Sequence, residues 1–138
     1  MKDNDCIFCL IANGDIPSNT VYEDEYFRAI LDLSPAAKGH TLLLPKEHAE
    51  DLFSLPDEAA ARVMPTAKRI AKAVMKAMNA DGVNIVQNNG EAAGQTVKHF
   101  HLHIIPRKTG DNAMPLWTPG KSDPEEQKKI AEAVSALI

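Results

Sequence analysis

Three histidines occupy alternate positions at His99, His101 and His103, and the residues between them, Phe100, Leu102 and Ile104, are apolar. Alternation of this kind is the period of a β-strand, whose successive side chains point to opposite faces. The pattern predicts a strand over Lys98–Ile105, with the apolar face on the core and three imidazoles, spaced about 6.5 to 7 Å apart, turned to solvent or into a cleft. Pro106 is expected to stop it. Such a face can serve three ends. It can be a polar surface held by structural hydrogen bonds. It can be a metal site, because neutral imidazoles converge on zinc. It can also be a reaction centre, in which one ring attacks as nucleophile while its neighbours bind an anion and manage protons near neutral pH. Spacing alone leaves these open.

The surroundings favour the third. Just upstream, Asn88 to Thr96 reads as a polar loop with glycines at Gly90 and Gly94. Small residues there let backbone N–H groups approach an anion, and its amides and hydroxyl can donate hydrogen bonds.

The rest of the chain supplies the frame. Cys6 to Ala12 can form a short helical turn ended by Asn13-Gly14. Thr20–Tyr22 and Tyr26–Leu33 flank the acidic turn Glu23-Asp24-Glu25 and predict a hairpin, closed by Ser34-Pro35. Gly39–Pro45 reads as a buried strand. Ser54, Pro56 and Asp57 signal the start of the longest helix, which runs to Asn79, with Val63, Ile70, Val74 and Met78 on one face. Pro65 predicts a kink or break within it. Val83–Gln87 reads as a strand, and Ser122–Glu126 opens a last helix carrying Ile130, Val134 and Leu137 on one face. These elements predict an α+β fold, a mainly antiparallel sheet of about five strands with two main helices packed against it.

Composition bounds the rest. With 138 residues, the chain suits one domain over 1–138, its core at about 6–107 and a C-terminal loop and helix at 108–138. A hydrophobic share of 44% and a charged share of 25% are ordinary for a globular protein. Nineteen acids against 15 bases give a net charge of −4 with no basic cluster, which disfavours nucleic-acid binding. The N-terminus has no secretory pattern and no apolar run spans a membrane, so the expected location is the cytoplasm. Cys6-x-x-Cys9 holds the only two cysteines, and in that setting the pair reads as a metal clip or redox site.

The run from Gly94 to Ile105 resembles the histidine-triad (HIT) nucleotide-binding family, whose hallmark is His-x-His-x-His followed by two apolar residues. Ile7-Phe8, Ile16-Pro17, Asp32-x-Ser34-Pro35, Gly39-His40 and Pro45-Lys46-x-His48 stand in family order. The resemblance implies that His101 attacks an α-phosphorus to form a transient nucleotidyl-histidine that water cleaves. It implies that His103 and His40 hydrogen-bond phosphate oxygens, that Asn88, Gln95 and Thr96 hold the phosphate and leaving group, and that Asp32 receives the ribose hydroxyls. Phe8, Ile11, Ile30 and Leu33 would form an apolar slot for a purine base. Cys6, Cys9, His48 and His99 match a structural zinc site of one branch of the family, and no catalytic metal is expected. A homodimer follows by analogy, with the sheet able to continue across it, and Trp117 placed where it could reach the neighbouring site.

The implied activity is hydrolysis of a purine nucleoside 5′-phosphoramidate or related nucleotide conjugate. Ile104-Ile105-Pro106-Arg107 replaces the glycine pair of the phosphoramidase branch, which leaves the preferred leaving group open. The alternatives are a diadenosine polyphosphate hydrolase, a zinc-dependent hydrolase using His99, His101 and His103 as ligands, and a non-catalytic nucleotide-binding adaptor.

Overall fold

The computed structural model describes residues 1–138. Helix α1 covers Ile7–Ala12, β1 Thr20–Glu23, β2 Phe27–Leu31, β3 Thr41–Pro45, α2 Asp57–Met78, β4 Gly82–Gln87, β5 Leu102–Arg107 and α3 Pro124–Ser135. The five strands form one sheet in the order β1-β2-β3-β5-β4, and every neighbouring pair is antiparallel. The predicted α+β architecture is therefore the one found.

Alternation divides the sheet residues between two layers. Phe27, Ala29, Leu43, Leu102 and Ile104 pack with Val63, Ala67, Ile70 and Val74 of α2 to make the main core. Ile30, Leu42 and Leu44 face the other way and are covered by α1 through Ala12, Phe8 and Ile11. Every residue of β3 is buried, as the apolar run at Leu42–Leu44 requires of a central strand covered on both faces.

Proline behaves differently from expectation at two places. The helix α2 runs unbroken through Pro65. A helix-interior proline costs about 3 kcal/mol, but the turns on either side bury Val63, Thr66, Ala67 and Ile70. At about 1.5–3 kcal/mol per large apolar side chain that burial outweighs the loss. Thr66 also returns its hydroxyl to the carbonyl of Arg62 at 2.8 Å. Pro106 does not stop β5 either and lies opposite Val83 within it. The register with β3 ends at Thr41 and Ile104, so on that side of Pro106 no ladder exists for a missing N–H to interrupt. The signal at Ser54 caps its own turn instead of α2, exchanging bonds with Asp51, and Pro56 stands at the helix N-cap.

After β5 the chain is clamped. The Arg107 guanidinium forks onto both oxygens of Asp111, which also accepts the amides of Lys108 and Ala113 at 2.8 and 3.0 Å. Beyond this turn α3 stands away from the sheet. Contrary to the expected packing, it buries no residue, and Ile130 and Val134 are 51% and 53% exposed. No helix is long and apolar enough to cross a membrane.

Gly39, between the β2–β3 turn and His40, has φ +91° and sits so close to α2 that an added Cβ would lie 2.6 Å from Met78 Cγ. Gly39→Ala should lower unfolding free energy by about 1–3 kcal/mol through this strain. A urea denaturation series compares the two proteins.

Candidate functional site

The five imidazoles form a continuous series, from His48 just past the end of β3, through His99 and His101 on the chain entering β5, to His103 and to His40 at the start of β3. The strand is shorter than predicted: β5 begins at Leu102, so only His103 of the three alternate histidines lies in it. The amide of Phe100 donates 2.7 Å to the carbonyl of Ala49, outside the ladder, and this draws the preceding segment off the sheet. His99 and His101 consequently sit at 0% and 6% exposure and do not share one open strand face.

His99 faces the cysteines. Its Nε2–H donates to the carbonyl of Pro45 at 2.9 Å. A carbonyl can only accept, so the proton is on Nε2 and the Nδ1 lone pair points at the Sγ atoms of Cys6 and Cys9, each 3.4 Å away. His48 Nδ1 lies 3.4 Å from Cys9 Sγ, and all four donor atoms fall within 4.8 Å of one another. Zinc bonds of about 2.3 Å to sulfur and 2.0–2.1 Å to nitrogen give a tetrahedral S···N edge of roughly 3.5 Å, so the spacing and donor chemistry fit a Cys₂His₂ metal centre. Burial pushes the His99 imidazole down to about 4, which keeps it neutral as a ligand must be.

His101 is held the opposite way round. Its Nδ1–H donates 2.7 Å to the carbonyl of His99. Nε2 has no protein partner, and no buried side-chain nitrogen or oxygen in the molecule lacks one, so this nitrogen reaches solvent although the ring is largely covered. The Phe8 ring stands edge-on to it with centroids 5.1 Å apart, and His103 flanks it at 5.0 Å.

His103 and His40 form the third part. His40 Nε2 lies 2.9 Å from His103 Nδ1 and 3.5 Å from a carboxylate oxygen of Asp32. Burial pushes His103 down to about 4 and lowers His40 as well, against the opposing pull of Asp32. Asp32 is tied by accepting the Ser34 amide at 2.8 Å.

The remaining predicted residues divide. Ile11, Ile30 and Leu33 line one cavity of about 270 Å³ with Pro17, Ser18, Asn19 and Leu31. Phe8 is not among its lining residues; its ring stands against His99 and His101 instead. The Asn88 side chain is half-buried and makes no hydrogen bond within the protein, whereas Thr96 is exposed. Gln95 is fully engaged: its amide donates to the carbonyls of Glu50 and Val97 and accepts the amide of Gly90. Part of the glycine loop's backbone is spent on the loop itself. The amides of Gly90, Ala93, Gly94 and Gln95 all bond within the loop, where Glu91–Ala93 forms a 3-10 turn. Within the same loop Asn89 accepts the Leu52 amide. One group went unread in the sequence, the backbone amide of Ala36, which donates to His40 Nδ1 at 3.0 Å. A backbone donor has no side-chain signature by which to be found.

The HIT domain family matches residues 13–110. The chain belongs to the HIT family. It is 40% identical over 134 residues to the adenosine 5′-monophosphoramidase hnt1 of Schizosaccharomyces pombe, covering 96% of this chain and 98% of that protein. The crystal structure of SMU.412c from Streptococcus mutans superposes with a TM-score of 0.93 at 44% identity, over 98% of this chain and 86% of that one. A Zn-bound histidine triad family protein from Mycobacterium smegmatis is 43% identical with a TM-score of 0.76, over 95% and 96% of the two chains.

The depressed imidazoles carry a stability consequence. An unfolded histidine takes up its proton near pH 6.5, whereas His99 and His103 in the fold do so only near 4. Between those values the unfolded chain binds more protons, so stability falls as pH drops from 6.5 to 4 and is unaffected by these rings above 6.5. The loss should reach about 2–3 kcal/mol per ring. Urea midpoints across this range, measured in chelator, should fall less steeply for His103→Gln.

Proposed function

We propose that this protein is a nucleotide hydrolase that cleaves a purine nucleoside 5′-phosphoramidate or a related nucleotide conjugate through a nucleotidyl group carried on His101. The observation that carries this reading is the disposition of one ring. His101 has its Nδ1 proton committed to a main-chain carbonyl and its Nε2 lone pair open. That is the state a nucleophilic imidazole needs, since the free lone pair attacks while the bound N–H fixes ring orientation. The bond formed is Nε2–P; the bond broken joins phosphorus to the leaving group, which takes the electron pair and, where it is an amine, departs with a proton it already carries or takes from solvent. Water then attacks the same phosphorus, gives up a proton to solvent, and releases the neutral ring.

His103, beside it, is the nearest donor to a phosphate oxygen as charge develops there. The cavity bounded by Ile11, Ile30 and Leu33 suits a base, and Asp32, which lies between Leu31 and Leu33 in the chain and carries its carboxylate toward His40, suits the ribose. Asn88, with its amide free, is the loop residue suited to the phosphate or leaving group. Gln95 serves as the brace that holds the loop, with Thr96 at its surface. A hydrolase of this kind agrees with the name of the yeast relative.

Cys6, Cys9, His48 and His99 would hold a structural zinc, the role for which a closed four-ligand set is suited. When bound, the ion would tie the start of α1 to the segment leading into β5, and so set the carbonyl on which His101 rests. A catalytic metal on His99, His101 and His103 is disfavoured by the ring orientations: Nδ1 of His99 faces the cysteines while the lone pair of His101 faces solvent.

Incubation with adenosine 5′-phosphoramidate, followed by rapid quenching and mass spectrometry, should reveal an AMP adduct on His101. His101→Ala should lose it and at least about 10³-fold in kcat. Turnover without an adduct, or activity in the variant, overturns the reading. Metal analysis of the purified chain should give one zinc per protomer, with Cys6→Ser losing the metal and melting several degrees lower.

A further inference from the structure

His40 matches a phosphate contact in the sequence, yet neither of its ring nitrogens is free to make one. Nδ1 lies 3.0 Å from the backbone N of Ala36. An amide can only donate, so Nδ1 must be the unprotonated nitrogen. A neutral ring then carries its proton on Nε2, which faces His103 Nδ1 at 2.9 Å and Asp32 at 3.5 Å. His103 Nδ1 therefore accepts, and the proton of the His103 ring lies on Nε2, the edge turned away from His40. One main-chain amide in an exposed turn thus decides where the protons sit on two successive rings.

We propose that the Ala36 amide and His40 are positioning groups that lock His103 with Nε2–H outward, so that the pair offers substrate a fixed hydrogen-bond donor. This rests on the reading of His101 as the nucleophile, since it is the neighbouring ring that gains the donor. A second proton on the pair would have to enter between two atoms already joined by a hydrogen bond. On His40 Nδ1 it would meet the Ala36 N–H, and on His103 Nδ1 it would meet the His40 N–H. The pair is thus closed to protonation by its geometry. The charged and titratable groups facing it are Asp32, from the turn after β2, and His101, from the chain entering β5. The same logic disposes of a metal ion among Asp32, His40 and His103, whose donor atoms lie within 4.8 Å of one another. The Nε2 lone pair that such an ion needs from His40 is occupied by a proton that Nδ1 cannot take.

The arrangement also has a chemical consequence. A neutral N–H donor stabilises charge on phosphorus-bound oxygen but gives up no proton to the group that departs. Leaving groups that depart as stable anions, or that bring their own proton, fit such a site, and unactivated alkoxides do not.

Long-range ¹H–¹⁵N correlation spectra of the full, uniformly labelled chain at pH 7 test the lock without substrate. We expect pyridine-type Nδ1 and N–H-type Nε2 at both His40 and His103. The reverse tautomer at either ring, or a doubly protonated His103, overturns the proposal. Ala36→Pro removes the amide proton at a surface position, and Ala36→Gly keeps it. The proline variant should show mixed His103 tautomers and about a tenfold loss of kcat/KM on adenosine 5′-phosphoramidate, with the glycine variant unchanged. Should the proline variant fail to fold, His40→Leu and His40→Gln replace it. Leucine should release the His103 tautomer, and glutamine, whose amide can still donate to Nδ1, should restore it. An unchanged His103 tautomer in both Ala36→Pro and His40→Leu sinks the proposal. Because the spectra need no turnover, they fail or succeed independently of the adduct on His101.

Discussion

The hydrogen bond from His101 Nδ1 to the carbonyl of His99 joins the two halves of this site, and the arrangement of the others follows from it. On one side of that peptide lies a ring facing sulfur; on the other lies a ring whose far nitrogen is open. The two residues are adjacent but one in the chain, yet their protons sit on opposite ring nitrogens because each meets a different main-chain carbonyl. Burial makes this assignment strict. An imidazole nitrogen without a partner costs about 1–3 kcal/mol when water is excluded, so rings at such low exposure keep the tautomer that the backbone dictates.

Placing those carbonyls and amides is the work of the fold. Pro45 is the last residue of a strand that is covered on both sides. Ala49 takes the amide of Phe100, and the short α1 brings the cysteines and Phe8 against the same rings. The sheet contributes rigidity more than chemistry. Only His103 stands on a strand, paired across from Leu42, and the other rings occupy the segments that enter and leave the central strands. A site built this way needs the extended segment to leave the sheet at Phe100, which simple alternation does not foretell.

Much of this was legible in the residues. Period-2 and period-3.6 apolar patterns mark each strand and helix to within a few positions, and the order Cys6, Cys9, His48, His99 anticipates a cluster assembled from three distant segments. Legibility ends where the deciding partner is main chain. Nothing at Gln95 distinguishes a side chain that binds a ligand from one that braces Glu50, Val97 and Gly90. Composition marks the glycine loop as polar and permissive, but does not tell which of its amides, here those of Gly90, Ala93, Gly94 and Gln95, are spent within the loop. Pro65 and Pro106 are local breakers whose effect tertiary packing overrides, in the first case through burial of the α2 face and in the second because β3 has already ended.

The turn in which Asp111 gathers Arg107 and two amides has an implication for the last helix. It fastens the chain to the sheet at the end of β5, four residues after His103, through a side-chain fork and two main-chain amides. The last helix therefore hangs from a fixed point on the sheet rather than from the histidine cluster, and its exposed apolar residues Ile130 and Val134 are held at a distance set by that one turn.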